Sequence, residues 1–158
     1  MGNDQCEVPT FNPVDNEVKE ILQRYSIIAI VGLSDDPAKD SNKVAQYLIR
    51  HGYTVVPVNP TKQKILGLTS YPNLKSIPFP LDIVDIFRKS ADVPPVVDEA
   101  IEIGAKVVWM QLGIAHNQSA QKAKDAGLQV VQSKCIKIEH SRYFGSDEAA
   151  SVTINLSQ

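Results

Sequence analysis

The sequence predicts an α/β fold of the doubly wound, Rossmann-like class, in which a five-stranded parallel sheet carries helices on both faces. Short apolar runs alternate with helix-like segments five times along the 158 residues, and this pattern favours parallel strands joined by right-handed crossovers. The first run, residues 27–32, is almost wholly apolar and ends in glycine, which is typical of a strand buried on both faces. We expect the strand order 3-2-1-4-5.

Two helices flank this first strand. Asn12-Pro13 is typical of an N-cap followed by the first helical position. Apolar residues then recur at helical spacing and predict an amphipathic helix over residues 13–25. After the strand, Ser41 or Asn42 is suited to cap a second helix, which Gly52 ends.

The second half of the pattern begins with a strand over residues 54–58, where Pro57 indicates a strand end or an irregular edge because proline cannot donate a ladder hydrogen bond. Residues 60–80 contain several prolines and form no long helix. Residues 81–87 predict a third strand, whose two aspartates place one of its faces near a sheet edge. The remaining predicted elements are a helix from Val93 ended by Gly104, a strand over 106–110, a helix from Asn117 or Ser119, and a strand over 128–131.

The predicted organisation is one domain over residues 13–144, with an N-terminal extension over 1–12 and a tail over 145–158 that is either disordered or a short edge strand. The net charge of -2 gives no reason to expect nucleic acid or a membrane surface as a partner. The sequence has no secretory signal pattern and no apolar run of about 20 residues, so we expect a cytoplasmic protein. Cys6 and Cys135 form neither a disulfide framework nor a metal site.

A ligand crevice is expected at the carboxyl ends of the first and fourth strands, where the winding of the predicted sheet reverses. An NAD site usually has an acid after the second strand, but this chain has Asn59 there, followed by Lys62. No second glycine of a dinucleotide fingerprint follows Gly32. The residues therefore favour a ligand that carries a phosphate near its ribose over ordinary NAD.

Ten short segments between residues 18 and 144 carry a family resemblance, which their order and spacing make specific. They lie at 30–34 (Ile-Val-Gly-Leu-Ser), 41–44, 47–48, 56–60 (Val-Pro-Val-Asn-Pro), 85–88 (Asp-Ile-Phe-Arg), 93–94, 99–106, 109–113 (Trp-Met-Gln-Leu-Gly), 126–128 and 135–140 (Cys-Ile-Lys-Ile-Glu-His). On these segments the chain resembles the stand-alone coenzyme A-binding domain proteins. Those proteins are similar to the N-terminal domains of the succinyl-CoA synthetase alpha subunit and of ADP-forming acyl-CoA synthetases.

The resemblance implies coenzyme A as the ligand and assigns a role to each strand end. The loop from Gly32 to Lys43 would bind the diphosphate through backbone N–H groups, including that of Leu33, and through side chains. The other implied contacts are Ser34, Ser41 and Lys43 at the diphosphate, Asn59 and Pro60 beside the ribose, Lys62 with Lys39 at the 3′-phosphate, Phe87, Arg88 and Val93 on the adenine side, and Gln111, Gly113 and Ile114 along the pantetheine arm.

We therefore expect a non-catalytic protein that binds coenzyme A or a short acyl-CoA. The related synthetases also need a phosphorylated histidine and a nucleotide-grasping partner, for which this chain is too short. Gln111-Leu112 also stand where those enzymes typically have an acid. No catalytic residue is assigned, and a protein partner or self-association stays open.

Three alternatives remain: a CoA-site subunit of a ligase or transferase, a redox regulator whose Cys135 is capped by coenzyme A, and a sensor of NAD(H) or another nucleotide. Cys135 itself is either a small apolar filler or a reactive thiol.

Overall fold

The computed structural model describes residues 7–145. In that range the helices are α1 Asp15–Arg24, α2 Asp40–Arg50, α3 Val93–Glu102, α4 Asn117–Asp125 and α5 Ile136–Phe144. The strands are β1 Ile27–Val31, β2 Thr54–Val58, β3 Lys64–Ile65, β4 Leu68–Thr69, β5 Ile83–Ile86, β6 Val107–Met110 and β7 Gln129–Val131. Short 3-10 turns cover Leu74–Ser76 and Ser90–Asp92.

The sheet confirms the expected doubly wound class. Its five strands have the order β2-β1-β5-β6-β7, and every neighbouring pair is parallel. Strands β3 and β4 form a separate antiparallel hairpin. When the five sheet strands are numbered along the chain and the hairpin is left out, their order in the sheet is 2-1-3-4-5. The expected order, 3-2-1-4-5, instead has the third strand at the edge of the sheet, beside the second.

The connection between β2 and β5 explains why the third sheet strand lies beside β1. Right-handed crossovers are compatible with both orders, so the succession of strands does not choose between them. In the connection, Leu74, Ile77 and Leu81 are buried in the same core cluster as residues of α3 and α4. The connection therefore covers this sheet face on its way past β1, and the winding reverses between β1 and β5 rather than between the first and fourth strands.

Two apolar layers sandwich the sheet, which is why the strands are apolar on both faces. On one face, α1, α2 and α5 pack against side chains such as Ile28 and Ile30 of β1. On the other face, α3, α4 and the β2–β5 connection pack against Ala29 and Val31. Burial of alternate residues in opposite layers is the arrangement that a continuous apolar run predicts.

The position of β5 corrects the expectation for its aspartates, because β5 pairs with β1 on one side and β6 on the other. Asp85 is fully buried within this central strand, and Asp82 accepts hydrogen bonds from the backbone N–H groups of Ser26 and Ile27 at 3.1 and 3.0 Å. The expectation for Pro57 is confirmed, since β2 is an edge strand of the sheet.

Helix starts differ from the sequence prediction where a candidate cap has another partner. Helix α1 begins at Asp15 with Val14 as its N-cap, because the Asn12 side chain instead donates to and accepts from the backbone of Gln132 at 2.9 and 2.7 Å. Helix α2 begins at Asp40 with Lys39 as its N-cap. Helix α5 has no counterpart in the prediction.

The described part of the N-terminal extension packs on the domain. The backbone N–H of Thr10 donates to Asn117 Oδ1 at 2.8 Å, and Asn117 Nδ2 donates to the carbonyl oxygen of Val8 at 2.8 Å. Cys6 and the predicted tail from residue 146 lie outside the described residues. Within residues 7–145, no helix is both long and apolar enough to cross a bilayer.

Candidate functional site

The carboxyl ends of β2, β1 and β5 lie side by side and form the centre of the candidate site. Backbone hydrogen bonds join them: Gly32 donates to Val58 at 3.0 Å, and Phe87 donates to Val31 at 2.9 Å. Gly32 has φ +88°, and a Cβ atom there would lie 2.3 Å from the Phe87 carbonyl oxygen. Only glycine therefore permits both this turn and this close approach of two chain segments.

The loop after Gly32 is held against the first turn of α2. The Ser34 N–H donates to Ser41 Oγ at 3.0 Å, and Asn42 Nδ2 donates to the Ser34 carbonyl oxygen at 2.8 Å. Ser34 Oγ in turn accepts from the Asp36 N–H at 3.0 Å. Both serine hydroxyls act as acceptors inside the loop, which leaves each O–H free to donate to an anion. The amino end of α2 adds its positive dipole end.

A second loop, after β2, is fastened to the first. Asn59 Nδ2 donates to the Leu33 carbonyl oxygen at 2.9 Å, and Asn59 Oδ1 accepts from the Thr61 N–H at 2.9 Å. Lys62 Nζ lies 3.1 Å from Asp35 Oδ2, with both side chains about half exposed. The lysine expected at a 3′-phosphate is thus paired with an acid of the Gly32 loop.

A cavity of about 380 Å³ lies between the amino ends of α2 and α5, next to this edge of the sheet. Four residues predicted from the sequence line it, namely Lys43, Phe87, Gln111 and Ile114. Gln111 Oε1 accepts from the Ile136 N–H at 3.1 Å, so it fixes the start of α5 beside the cavity. The other lining residues are Asp40, Val44, Leu112, Cys135, Lys137 and Ile138.

Helix α5 supplies Lys137 and Ile138, which the predicted coenzyme A contacts did not include, and Cys135, which was predicted only for the redox alternative. Cys135 is its N-cap, and Lys137 and Ile138 lie in its first turn. The helix has only nine residues, and three of them are fully buried or nearly so (Ile136, Glu139 and His140), too few for an apolar repeat to be visible. The segment 135–140 belongs to the family resemblance, which was the available signal for a role in the site.

The other predicted contacts occupy the same edge of the sheet in different ways. Val93 is fully buried at the start of α3 in the core layer of the opposite face, so its side chain is closed off from the cavity. The Leu33 side chain is also fully buried, and only its backbone remains for a ligand. Predicted residues at the strand ends and loops outside the cavity lining are Gly32, Ser34, Lys39, Ser41, Asn59, Pro60, Lys62, Arg88 and Gly113.

Asp85 lies two residues before Phe87 in β5 and therefore points to the same face of the sheet. Both of its carboxyl oxygens are buried without a hydrogen-bond partner. Burial raises the pKa of the Asp85 carboxyl well above its usual range, because a charge is poorly solvated in an apolar core. Burial in this layer therefore favours the neutral form of the acid.

A pair of aromatic rings docks α5 onto α2. Tyr47 Oη lies 2.8 Å from His140 Nδ1, and the Tyr47 ring also stacks on His51, with centroids 4.0 Å apart. Burial, and to a smaller degree the nearby His51, lowers the pKa of His140 to about 4. A neutral imidazole thus joins the helix that carries Cys135 to the helix that carries Lys43.

A second cavity, of about 660 Å³, lies between α3 and α4 and is lined by polar surface residues that include His116 and Asp98. His116 is the N-cap of α4, and its side chain accepts from the Ser119 N–H at 3.2 Å. Among residues 7–145, no three His, Cys, Asp or Glu side chains come together as a metal site would require.

Known proteins resemble this chain in architecture and in sequence. A family model described as a CoA binding domain matches residues 26–141. Over 130 residues the chain is 42% identical to the uncharacterized protein YneT of Bacillus subtilis (strain 168), which covers 82% of this chain and 96% of YneT. The structure of a hypothetical protein from Pyrococcus horikoshii OT3 superposes with a TM-score of 0.81 at 41% identity, covering 86% of this chain and 96% of that one.

A more distant similarity connects the chain with larger enzymes. It is 26% identical over 120 residues to acetate–CoA ligase [ADP-forming] I of Archaeoglobus fulgidus. This match covers 70% of the chain but only 18% of the ligase. The chain thus corresponds to less than a fifth of that enzyme.

Proposed function

The chain belongs to the family of CoA-binding domains, and from this premise we propose that it binds coenzyme A, or a short acyl-CoA, without catalysing a reaction. The family is related to domains of ADP-forming acyl-CoA ligases. The observation that carries the proposal is the cavity between the amino ends of α2 and α5, which opens beside the Gly32 loop. Nucleotide ligands of doubly wound sheets bind at such a reversal of winding.

The diphosphate is proposed to lie on the Gly32 loop. It would be bound there by backbone N–H groups at the start of α2, by the hydroxyl groups of Ser34 and Ser41, and by the ammonium group of Lys43. The first N–H groups of a helix have no partners within the helix, and its dipole favours an anion. Lys43 both belongs to the first turns of α2 and lines the cavity, so it can serve the diphosphate from the cavity side.

The adenosine is proposed to lie over the ends of β2 and β5. Asn59 and Pro60 would flank the ribose, Lys62 would bind the 3′-phosphate with help from Lys39, and Phe87 with Arg88 would contact the base. The tie between Asn59 and Leu33 holds the ribose loop in place before a ligand arrives. A preorganised loop loses less conformational freedom when it binds.

The pantetheine arm, or a short acyl group at its end, is proposed to occupy the cavity itself. Val44, Phe87, Leu112, Ile114 and Ile138 make most of its wall apolar. Its volume of about 380 Å³ lies at the small end of ligand pockets. It therefore suits part of a coenzyme A molecule, and a long acyl chain would extend into solvent.

Titration calorimetry with coenzyme A, dephospho-CoA and NAD tests the proposal. We expect saturable binding of coenzyme A at one site per chain, weaker binding of dephospho-CoA, and weakest binding of NAD, since Asn59 cannot replace the acid that accepts from the NAD ribose. NAD binding as tight as that of coenzyme A would favour the nucleotide-sensor alternative. No heat with any ligand would contradict the proposal.

The redox alternative is favoured by one specific observation, the presence of Cys135 in the cavity wall. In this second candidate function, the thiolate of Cys135 attacks coenzyme A disulfide. A bond forms between Cys135 Sγ and one CoA sulfur, the disulfide bond of the reagent breaks, and one CoA thiolate leaves. The protein thiol is oxidised and half of the reagent is reduced.

Intact mass spectrometry after incubation with coenzyme A disulfide tests this candidate. A CoA adduct that a reductant removes is expected in the native chain and in Cys6→Ser, but not in Cys135→Ser. An adduct that persists in Cys135→Ser and disappears in Cys6→Ser would reject the assignment.

The third candidate is a CoA-site subunit of a ligase or transferase, which the similarity to the Archaeoglobus ligase favours. A partner would then have to supply the nucleotide-grasping and acyl-transferring parts. Co-purification of such a chain, with ligase activity in the complex only, would support this candidate. The expected cytoplasmic location also remains a prediction.

A further inference from the structure

The ion pair between Lys62 and Asp35 spans the gap between two loops of the candidate site. Lys62 follows β2, Asp35 lies in the Gly32 loop, and Lys62 Nζ is 3.1 Å from Asp35 Oδ2. Resting on the proposed function, we propose that this pair is an exchange contact that sets selectivity for the 3′-phosphate: Asp35 holds Lys62 in the free protein and yields it to the phosphate of the ligand.

The two loops keep their shape without this pair. Asn59 ties one loop to the Leu33 carbonyl oxygen. The Ser34 N–H donates to Ser41, and the Ser34 carbonyl oxygen accepts from the Asn42 side chain. The Asp36 side chain accepts from the Ala38 N–H at 2.9 Å. Asp35 therefore projects from a loop that other hydrogen bonds already fix, and the ion pair can open without unfolding either loop.

The exposure of the pair makes the exchange easy. The side chains of Lys62 and Asp35 are 43% and 51% exposed, and ion pairs of this exposure contribute little free energy. A phosphate monoester carries up to two negative charges and several acceptor oxygens, so it competes well for the ammonium group. Once Lys62 turns to the phosphate, the Asp35 carboxylate is left beside an anion of like charge.

Two consequences follow for ligand selectivity. Asp35 lowers the affinity for any ligand that needs Lys62, and it does so through the pair itself. A ligand without the 3′-phosphate does not need Lys62, and it therefore senses Asp35 only as a nearby negative charge. Asp35 thus acts as a specificity-determining residue, even though it carries the wrong charge to bind a phosphate.

Calorimetry tests this inference by measuring the affinities for coenzyme A and dephospho-CoA. The proteins compared are the native chain, Asp35→Asn, Asp36→Asn, Lys62→Met and the Asp35→Asn/Lys62→Met double variant. We expect Asp35→Asn to raise the ratio of the two affinities about two- to fivefold in favour of coenzyme A, in line with the small contribution of an exposed ion pair. Asp36→Asn is the matched control, because it removes the same charge one residue away while its amide oxygen can still accept from Ala38. It should change both affinities alike.

The double variant separates exchange from simple charge removal. Relative to Lys62→Met alone, the added Asp35→Asn change should raise the affinity ratio less than it does in the native background, because only the repulsion between like charges is then relieved. The exchange is overturned if the ratio of coenzyme A to dephospho-CoA affinity does not rise in Asp35→Asn. It is also overturned if the ratio rises equally in Asp36→Asn, or equally when Asp35→Asn is added to Lys62→Met. In each case coenzyme A binding and the proposed function stand. Absence of coenzyme A binding to the native chain overturns both.

Discussion

A Cβ atom added to Gly32 would lie 2.3 Å from the carbonyl oxygen of Phe87, so the turn after β1 and the backbone after β5 are in direct contact. This contact lies where the winding of the sheet reverses. It links the loop proposed to bind the diphosphate with a wall of the cavity proposed to hold the pantetheine arm.

Replacement of Gly32 by alanine is expected to cost about 3 kcal/mol or more of unfolding free energy. Alanine at positive φ costs about 1–2 kcal/mol, and displacement of the Phe87 backbone adds to it, as large losses at special backbone positions do. Denaturant unfolding measures the change.

The matched control for this change is Gly104→Ala. Gly104 has φ +75° but open space around the position of the added methyl group, so only the backbone strain of about 1 kcal/mol applies. Equal losses in the two variants would show that the contact with Phe87 has no energetic weight.

Asp85→Asn is expected to stabilise the protein increasingly as the pH rises. Because the pKa of Asp85 is raised in the folded chain, the folded chain holds the proton to a higher pH than the unfolded chain does. The stability contributed by this proton is fully present below the pKa of the unfolded chain, and it is lost as the pH rises through the pKa of the folded chain. Asparagine removes this loss, so the unfolding free energy of Asp85→Asn relative to the native chain should increase from pH 5 to pH 8.

Urea unfolding of Asp85→Asn and the native chain from pH 5 to pH 8 provides the comparison. Asp82→Asn should instead lower the unfolding free energy, because the Asp82 carboxylate accepts from two backbone N–H groups. A difference between Asp85→Asn and the native chain that does not change with pH would contradict a buried neutral acid.

His140→Gln is expected to reduce the acid sensitivity of the fold. The pKa of His140 is about 4 in the folded chain, against an ordinary value of 6.5. The unfolded chain therefore binds the proton first, and stability falls as pH drops from 6.5 toward 4, by about 3 kcal/mol at most. Glutamine cannot be protonated in this range, so the loss in that window should shrink.

We would measure the unfolding free energy of His140→Gln relative to the native chain at pH 6.5 and at pH 4.5. This difference isolates the pH dependence caused by His140, because Asp85 is present in both proteins and its effect on stability has the opposite sign. His116→Asn serves as the control, since His116 caps α4 on the other side of the molecule. An unchanged pH dependence in His140→Gln would argue against a neutral buried imidazole between α2 and α5.

Lys43→Met is expected to weaken coenzyme A and dephospho-CoA by the same factor, about five- to tenfold. Both ligands share the diphosphate, and a partly exposed lysine contributes about 1 kcal/mol to such a contact. Lys106→Met removes an exposed lysine at the opposite, amino edge of the sheet and should leave both affinities unchanged. A loss confined to coenzyme A would place Lys43 at the 3′-phosphate instead.

The sequence predicted those features of the fold that local chemistry determines. The apolar run at 27–32 predicted β1 and its turn, and Pro57 predicted a strand end or an irregular edge. Sheet order depends instead on how the irregular segment between β2 and β5 packs, and its buried residues Leu74 and Ile77 carry no local signal for the face that they cover.

The candidate site was predictable only where its residues follow from local sequence. Strand ends such as Phe87 and Gln111 follow from the strands that precede them, and both line the cavity. Cys135 and Lys137 reach it through contacts between residues far apart in sequence, such as the hydrogen bond from the Ile136 N–H to Gln111 Oε1. The sequence did not indicate that the Val93 side chain is buried in the core at the start of α3.

The location of the ligand is the central claim, and amide chemical-shift mapping during titration with coenzyme A tests it most directly. We predict saturable shifts concentrated in residues 32–43, 59–62, 87–88, 111–114 and 135–138, at the carboxyl edge of the sheet. Shifts confined to residues 94–98 and 116–125 around the α3–α4 cavity, or no shifts at high coenzyme A concentration, would contradict the account.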